Sequence, residues 1–248
     1  MNALEIIDLN RSFGAISVIE GLTLSIKEGQ RHAIIGPNGA GKTTLFNMLT
    51  GWLPPSSGSI MFGDKSIAGM TPSRITASGM ARSFQINALF DGLTVRQNLR
   101  LSAQALHPSR LDVIASFNAY SDIEELVIFN AERMALTDYM DKPVQELSYG
   151  IRRQLEVALA LTSEPKLLLL DEPAAGTSPS ERLRLVNLIT RLPKSTTILL
   201  VEHDMDLVFE ISDRITVLTY GSVLADGSPD EIRRHKAVSD AYLGKNHA

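Results

Sequence analysis

The sequence has no cysteine among its 248 residues, which excludes disulfide bonds, thiolate zinc sites and cysteine-ligated iron–sulfur clusters. Long apolar runs are also missing, and segments such as Leu167-Leu-Leu-Leu170 are far too short to cross a bilayer. The N-terminal residues are acidic where a secretory leader would be basic. A net charge of −4 provides no broad basic surface for nucleic acid. These absences predict a cytoplasmic protein with no membrane span and no nucleic-acid partner.

A glycine-rich stretch at residues 36–44 fits the pattern G-x-x-x-x-G-K-[ST]. The apolar run Arg31–Ile35 precedes it as a predicted strand, and Thr43–Thr50 follows with apolar residues at helical spacing. Glycines let successive N–H groups point at one anion, and the helix start adds positive charge. The alternative, an ordinary turn with a surface lysine, leaves this strand-turn-helix context unexplained. The predicted nucleotide-binding residues are Gly36, Asn38, Gly39, Ala40, Gly41, Lys42, Thr43 and Thr44, with Lys42 on the β- and γ-phosphates and Thr43 as a Mg²⁺ ligand.

The rest of the pattern indicates an α/β fold. Lys166–Asp171 and Thr196–Val201 are continuous apolar runs, typical of parallel strands covered on both faces. Residues 4–35 predict short strands, whereas residues 94–162 are dominated by helical pattern. Within the helical part, Ser121–Glu124 has the spacing of a capping box. We therefore expect a parallel-sheet core with an N-terminal β portion and a helical insertion.

Two carboxylates follow the predicted strand that ends at Asp171. Open α/β sheets place their ligands at the carboxyl ends of strands, so Asp171 is suited to hold Mg²⁺. Glu172 points elsewhere and can polarise a water for attack on the γ-phosphate. The alternative is a solvated pair of acids that caps a core strand. The phosphate-binding loop favours the catalytic interpretation.

The segment Leu147-Ser-Tyr-Gly150 precedes an apolar helix and, taken alone, is only an N-capped helix start. In its position between the phosphate loop and Asp171 it resembles the signature of the ATP-binding-cassette (ABC) family, and the resemblance covers almost the whole chain. The family's fold is a P-loop NTPase (RecA-like) core with an N-terminal antiparallel β subdomain and an inserted α-helical subdomain. The resemblance implies one ATPase domain over 1–248, with the core at 1–85 and 163–248 and the helical subdomain at about 88–162.

The resemblance also assigns further site residues. Ser148, Tyr149 and Gly150 would bind the γ-phosphate of ATP held by an opposing subunit. Gln85 would sense Mg²⁺ and the attacking water, and His203 would contact the γ-phosphate. These join Lys42 and Glu172 as the catalytic set, and Thr43, Gln85 and Asp171 form the metal set. Phe13 would stack on adenine, although a packing role in the β portion is its alternative. ATP and Mg²⁺ are the implied ligands.

Three residues depart from the family pattern: Ile151 after the signature glycine, and Thr177 and Ser178 in the D-loop that crosses the dimer interface. They motivate one alternative, a degenerate cassette that binds ATP without hydrolysing it. Lys42 and Glu172 are unchanged, so we expect hydrolysis.

Stretches such as Met80–Gln85 and Ala241–Gly244 are similar to the ATPase subunits of bacterial importers for branched-chain and other hydrophobic amino acids. Urea-importer and lipopolysaccharide-export ATPases are close relatives and remain alternatives, as does a soluble cassette ATPase of a cytosolic assembly machine. The importer resemblance implies a dimer with itself or a homologous ATPase, integral membrane permease subunits and, indirectly, a substrate-binding protein. It places the chain peripherally on the cytoplasmic side of the inner or plasma membrane, with an apolar docking patch near residues 85–94.

Overall fold

The computed structural model describes residues 1–83, 89–105, 107 and 120–243. Its strands are β1 (Asn2–Phe13), β2 (Ile16–Lys27), β3 (Arg31–Ile35), β4 (Ser57–Phe62), β5 (Lys65–Ser66), β6 (Met80–Arg82), β7 (Leu167–Asp171), β8 (Thr197–Val201), β9 (Arg214–Thr219) and β10 (Ser222–Gly227). Its α-helices are α1 (Lys42–Leu49), α2 (Pro72–Ala77), α3 (Val95–Ala105), α4 (Ser121–Arg133), α5 (Tyr149–Leu161), α6 (Pro179–Thr190), α7 (Met205–Ile211), α8 (Pro229–Arg234) and α9 (Lys236–Leu243). None of the helices within these ranges is both long and apolar enough to span a membrane.

Two sheets organise the described part of the chain. One has the strand order β2-β1-β4-β5 and is antiparallel. The other has the order β10-β9-β3-β8-β7-β6, in which only the edge pair β9–β10 is antiparallel. β1 and β2 are longer than the short strands predicted, since each runs for 12 residues. β9 and β10 form a hairpin that turns at Tyr220-Gly221.

The alternation of side chains along the parallel strands divides the interior into two cores. In β7, Leu167 and Leu169 face a core shared with the antiparallel sheet and α1. Leu168 and Leu170 face the opposite core, which includes α3 to α8. Because successive strand residues point to opposite faces, a run of four leucines covers both sides of the sheet. The continuous apolar runs were therefore correctly assigned to strands buried on both faces.

The predicted capping box at Ser121 is wrong. Tyr120 is the N-cap of α4, with no side-chain capping bond, and Ser121 is already helical. Glu124 instead forms ion pairs with Arg96 and Arg100 of α3. The spacing was right for a cap, but the cationic partners on α3 hold the carboxylate against that helix.

Candidate nucleotide site

The phosphate-binding loop connects the centre of the parallel sheet to α1, as predicted. It leaves β3 at Ile35 and enters α1 at Lys42. Gly41 has φ +100°, and a Cβ there would lie 2.5 Å from Ile19 Cδ1 of β2. A Cβ on Gly36 would lie 2.3 Å from the Leu218 carbonyl oxygen of β9. Both sheets therefore pack against this loop, and close packing as well as backbone conformation requires glycine at positions 36 and 41.

Lys42 folds back over the loop. Its Nζ donates to the carbonyl oxygens of Gly36, at 2.6 Å, and Pro37, at 3.0 Å. Burial lowers the pKa of the Lys42 ammonium, and the nearby carboxylates of Glu172 and Asp171 partly offset that effect. The lysine and both acids thus form one electrostatic group. Among the other predicted loop residues, Asn38, Gly39 and Thr43 are exposed, Thr44 is half-buried and Ala40 is buried.

The two acids lie at the carboxyl end of β7, beside the loop. Asp171 is buried and is opposite Val201 of β8 in register. Glu172 has φ +47°, uncommon for a residue with a Cβ, and its N–H donates to the Val201 carbonyl at 2.9 Å. This turn leaves the Glu172 side chain 41% exposed, whereas that of Asp171 is 5% exposed. The backbone gives the acids different environments, as their predicted roles require.

Arg82 is a partner of Asp171 that the sequence reasoning missed. Its guanidinium donates to Asp171 Oδ2 and also, at 2.9 Å, to Asn47 Oδ1 of α1. One arginine therefore joins β6, β7 and α1. A basic residue at the end of a buried strand was the available signal, but its partner depends on strand order.

The donor set fits Mg²⁺. The hydroxyl of Thr43 and the carboxylate of Asp171 are hard oxygen donors. Within the described ranges, no group of three or more His, Cys, Asp or Glu residues could hold a metal by itself. Mg²⁺ is typically held by one or two protein oxygens together with substrate phosphates and water, so this sparse set suits a nucleotide-bound ion.

His203 lies just after the carboxyl end of β8, at the same edge of the sheet as the two acids. Its Nδ1 lies 3.7 Å from Glu172 Oε1 and 3.8 Å from Glu202 Oε2. Glu202, also missed from the sequence, is 1% exposed and accepts from the N–H of Ala174 at 3.0 Å and of His203 at 3.1 Å. Burial raises the pKa of the Glu202 carboxyl, and these N–H donors oppose that shift. This carboxylate links the loop after Glu172 to the loop that carries His203.

An ion pair at the surface connects the same two segments as Glu202. Arg182 of α6 pairs with Asp204, whose side chain caps α7. The segment after Glu172 and the segment after His203 are thus connected twice, once inside and once at the surface.

The predicted signature residues lie at the start of α5. Ser148 is the N-cap and accepts from the Ile151 N–H. Both the Ser148 hydroxyl and the Gly150 N–H donate to Glu181 Oε1, each at 3.1 Å. The ring of Tyr149 packs on Gly176, where a Cβ would lie 3.0 Å from Tyr149 Cε1. The signature loop therefore contacts the chain's own D-loop and α6.

The three departures from the family pattern have local structural roles. Ile151 is 6% exposed and belongs to the core that includes α3 to α8. Thr177 Oγ1 donates to the Ala174 carbonyl at 2.7 Å, and Ser178 caps α6 through a capping box with Glu181. Each of the three therefore stabilises its own element.

The remaining predicted site residues are Phe13 and Gln85. Phe13 ends β1, is 47% exposed and has the Arg11 guanidinium 4.7 Å from its ring centroid. The guanidinium lies over the ring as in cation–π pairs. Gln85 lies outside the described residues, as do its immediate neighbours 84–88.

An apolar cleft of about 230 Å³ lies between α2, α3 and α5. Its lining includes Trp52, which is 66% exposed, together with Ile75, Met80 and Leu159. The predicted docking patch near residues 85–94 lies partly outside the described residues; in its described part, Phe90 is 59% exposed. A larger cavity of about 640 Å³, beside Lys166 and Thr197, opens at the amino ends of the parallel strands, away from the phosphate loop.

Known proteins match this chain over nearly its full length. A family model described as "ABC transporter" matches residues 19–175, and one described as "Branched-chain amino acid ATP-binding cassette transporter" matches residues 222–248. The chain is 39% identical over 240 residues to the high-affinity branched-chain amino acid transport ATP-binding protein LivG of Salmonella typhimurium, covering 94% of each chain. It is 39% identical over 250 residues to BraF of Pseudomonas aeruginosa, which has the same description, covering 98% of each.

A solved structure is also similar. The crystal structure of the ADP conformation of MJ1267, an ATP-binding cassette of an ABC transporter, matches with a TM-score of 0.88 at 28% identity. The match covers 98% of this chain and 99% of that one.

Proposed function

This chain belongs to the ABC transporter family of ATP-binding cassette ATPases, and from that membership we propose that it drives import of branched-chain or related hydrophobic amino acids. The supporting observation is similarity over the whole chain to LivG and BraF, which are named for this transport. The match of residues 222–248 to a branched-chain-specific family model supports the same substrate class. We treat residues 1–248 as one ATPase domain, with its core at 1–85 and 163–248 and its helical subdomain at about 88–162.

The strand-end residues support in-line attack of water on the γ-phosphate of ATP. Lys42 exchanges its bonds to the loop carbonyls for the β- and γ-phosphates and offsets their charge. Glu172 accepts the proton of the attacking water, and His203, 3.7 Å away, steadies the γ-phosphate side of that water. Mg²⁺, when bound through Thr43 and Asp171, supplies charge neutralisation on the phosphates. Phe13 offers the ring face opposite Arg11 to adenine.

The active unit is a dimer in which each ATP lies between two chains. Ser148 is exposed, and with Gly150 it presents a hydroxyl and an N–H at a helix start, which is an anion site. The opposing copy, identical or homologous, would place its γ-phosphate there. Loss of that phosphate removes the ligand shared by both chains and lets the dimer open. Gln85 retains its proposed role at the metal and water.

The partners in the membrane are permease subunits, and a substrate-binding protein acts indirectly through them. The cleft between α2, α3 and α5 suits a helix from such a permease, since its lining is mostly apolar and includes the exposed Trp52. The chain would then be peripheral, on the cytoplasmic face of the membrane.

Substitution of Glu172 by Gln tests the chemistry. We expect ATP hydrolysis to fall by about a hundredfold or more, while ATP with Mg²⁺ now holds the protein as a dimer in sedimentation velocity. Glu210→Gln, which neutralises an exposed acid on α7, is the matched control and should keep wild-type activity. A Glu172→Gln protein that stays monomeric in saturating ATP contradicts the dimer mechanism.

The transport role is tested by native co-purification. A tagged chain, isolated from solubilised membranes, should bring down permease subunits, and leucine with its binding protein should raise the ATPase rate of that complex. Recovery in an exclusively cytosolic assembly would refute import.

A further inference from the structure

The carboxylate of Glu181 bridges two elements of the site. It belongs to the first turn of α6, where Oε2 accepts from the Ser178 N–H at 3.0 Å and the Ser178 hydroxyl at 2.8 Å. Oε1 reaches across to the signature loop and accepts from the Ser148 hydroxyl and the Gly150 N–H, each at 3.1 Å. One oxygen therefore caps the chain's own helix, and the other occupies the start of α5.

The signature loop is shaped around this carboxylate. A Cβ on Gly150 would lie 2.5 Å from both Cδ and Oε1 of Glu181, closer than nonbonded atoms can approach. Any side chain at position 150 would thus displace the carboxylate. The hydrogen bonds from the Ser178 backbone and side chain, with smaller contributions from Ser148 and Gly150, lower the pKa of Glu181. The group bound at the signature loop is therefore an anion at neutral pH.

We propose that Glu181 is an internal competitor for the γ-phosphate, which fills the signature anion site of each chain until a second copy delivers ATP. This inference rests on the proposed function, in which Ser148 and Gly150 bind that phosphate. Two anions cannot share the same two donors, so the carboxylate must leave before the dimer closes. Oε1 can leave the signature loop by rotation of the carboxylate, while Oε2 keeps its hydrogen bonds from Ser178.

This competition makes closure depend on the terminal phosphate. ADP from the opposing chain offers no group to replace the carboxylate, so the donors stay with Glu181 and the chains stay apart. After hydrolysis the carboxylate is already tethered beside the site through Ser178, and it can return as the phosphate leaves. Glu181 thus makes dimer closure depend more strongly on ATP, and it assists dimer opening.

The test uses the hydrolysis-blocked Glu172→Gln protein and measures its dimer dissociation constant in saturating ATP with Mg²⁺ by sedimentation equilibrium. Addition of Glu181→Gln keeps a side chain that can complete a capping box but removes the competing charge. We expect the dissociation constant to fall on the order of tenfold, because hydrogen bonds to a charged group no longer have to be broken. Glu181→Asp keeps the charge but is one methylene too short to bridge, and it should give a similar fall.

The chain supplies a matched control. Ser228–Glu231 at the start of α8 repeats the Ser-Pro-x-Glu capping box of Ser178–Glu181 without touching the signature loop. Glu231→Gln should leave the dissociation constant unchanged. ATP binding to the monomer should be equal in all these proteins, since the hydrogen bonds of Glu181 go to Ser148, Gly150 and Ser178 and none goes to the phosphate loop.

The possible outcomes distinguish failure of this inference from failure of the proposed function. If the parent Glu172→Gln protein dimerises, and the added Glu181 substitutions leave dimerisation equal or weaker, the inference alone is overturned. A lower dissociation constant in Glu181→Gln but not in Glu181→Asp also overturns it, because the tighter association would then come from the change in net charge. If the parent and both Glu181 variants stay monomeric in ATP, the proposed sandwich and this inference fail together.

Discussion

Acidification is expected to destabilise this fold through one buried imidazole, that of His32. The residue lies in β3, the strand that leads into the phosphate loop, and is 0% exposed. Its Nε2 lies 2.7 Å from Thr216 Oγ1, and the Thr216 hydroxyl donates to Asp226 Oδ1 at 2.9 Å. The Thr216 hydroxyl has one proton, which it donates to Asp226, so Nε2 of His32 must be the donor in its bond to Thr216. A second proton would have to go to Nδ1, which has no hydrogen-bond partner among the described residues.

The magnitude follows from the pKa of His32. Burial lowers it from 6.5 to about 4, although Asp226 favours the proton and Arg214 opposes it. Between these values the unfolded chain binds a proton that the native chain does not, so stability falls as the pH falls through this window. The whole gap corresponds to about 3 kcal/mol of unfolding free energy. About 2 kcal/mol of it is lost between pH 7.5 and pH 5.

Urea unfolding followed by circular dichroism at pH 7.5, 6 and 5 measures the effect. His32→Gln can still bond to Thr216 but cannot titrate, so wild type should lose about 2 kcal/mol more than this variant over that range. The raised pKa of Glu202 works in the opposite direction, but it is common to both proteins and cancels in the difference. His235→Gln removes an exposed histidine and should behave as wild type. Parallel pH curves for wild type and His32→Gln would refute the reasoning.

Two other substitutions test the docking cleft and the internal link. Trp52→Glu places a charge in the apolar cleft and should reduce co-purification of permease subunits without changing the ATPase rate of the isolated chain; loss of both together would contradict a docking role. Glu202→Gln leaves one oxygen to face the N–H groups of both Ala174 and His203, so it should cost about 1–3 kcal/mol of unfolding free energy and lower the ATPase rate. Unchanged stability and rate would show that the link is dispensable.

Much of this site was predictable because its chemistry is local in sequence. The glycines and Lys42 form one short motif, and Asp171, Glu172 and His203 each lie at or just after the end of an apolar run typical of a buried strand. Parallel strand ends meet at one edge of a sheet, so these residues were expected at the same edge as the phosphate loop. The missed residues act across elements. Arg82 reaches Asp171, and Glu202 reaches Ala174, because β6, β7 and β8 are neighbours, an order that strand patterns do not determine.

Glu181 is a residue that the local sequence pattern could have identified. Ser178-Pro-Ser-Glu181 is a capping-box sequence, and reading it would have placed a carboxylate in the first turn of α6. The same signal at Ser121 proved wrong, since Glu124 is held by arginines of α3. A capping pattern thus identifies a carboxylate near a helix start but not which donors it will accept from. At Glu181 one oxygen obeys the local pattern and the other bonds to a loop more than 30 residues away in sequence. That second bond requires Gly150 to lack a side chain, so we propose two roles for the signature glycine, as a donor to phosphate and as room for the carboxylate that competes with it.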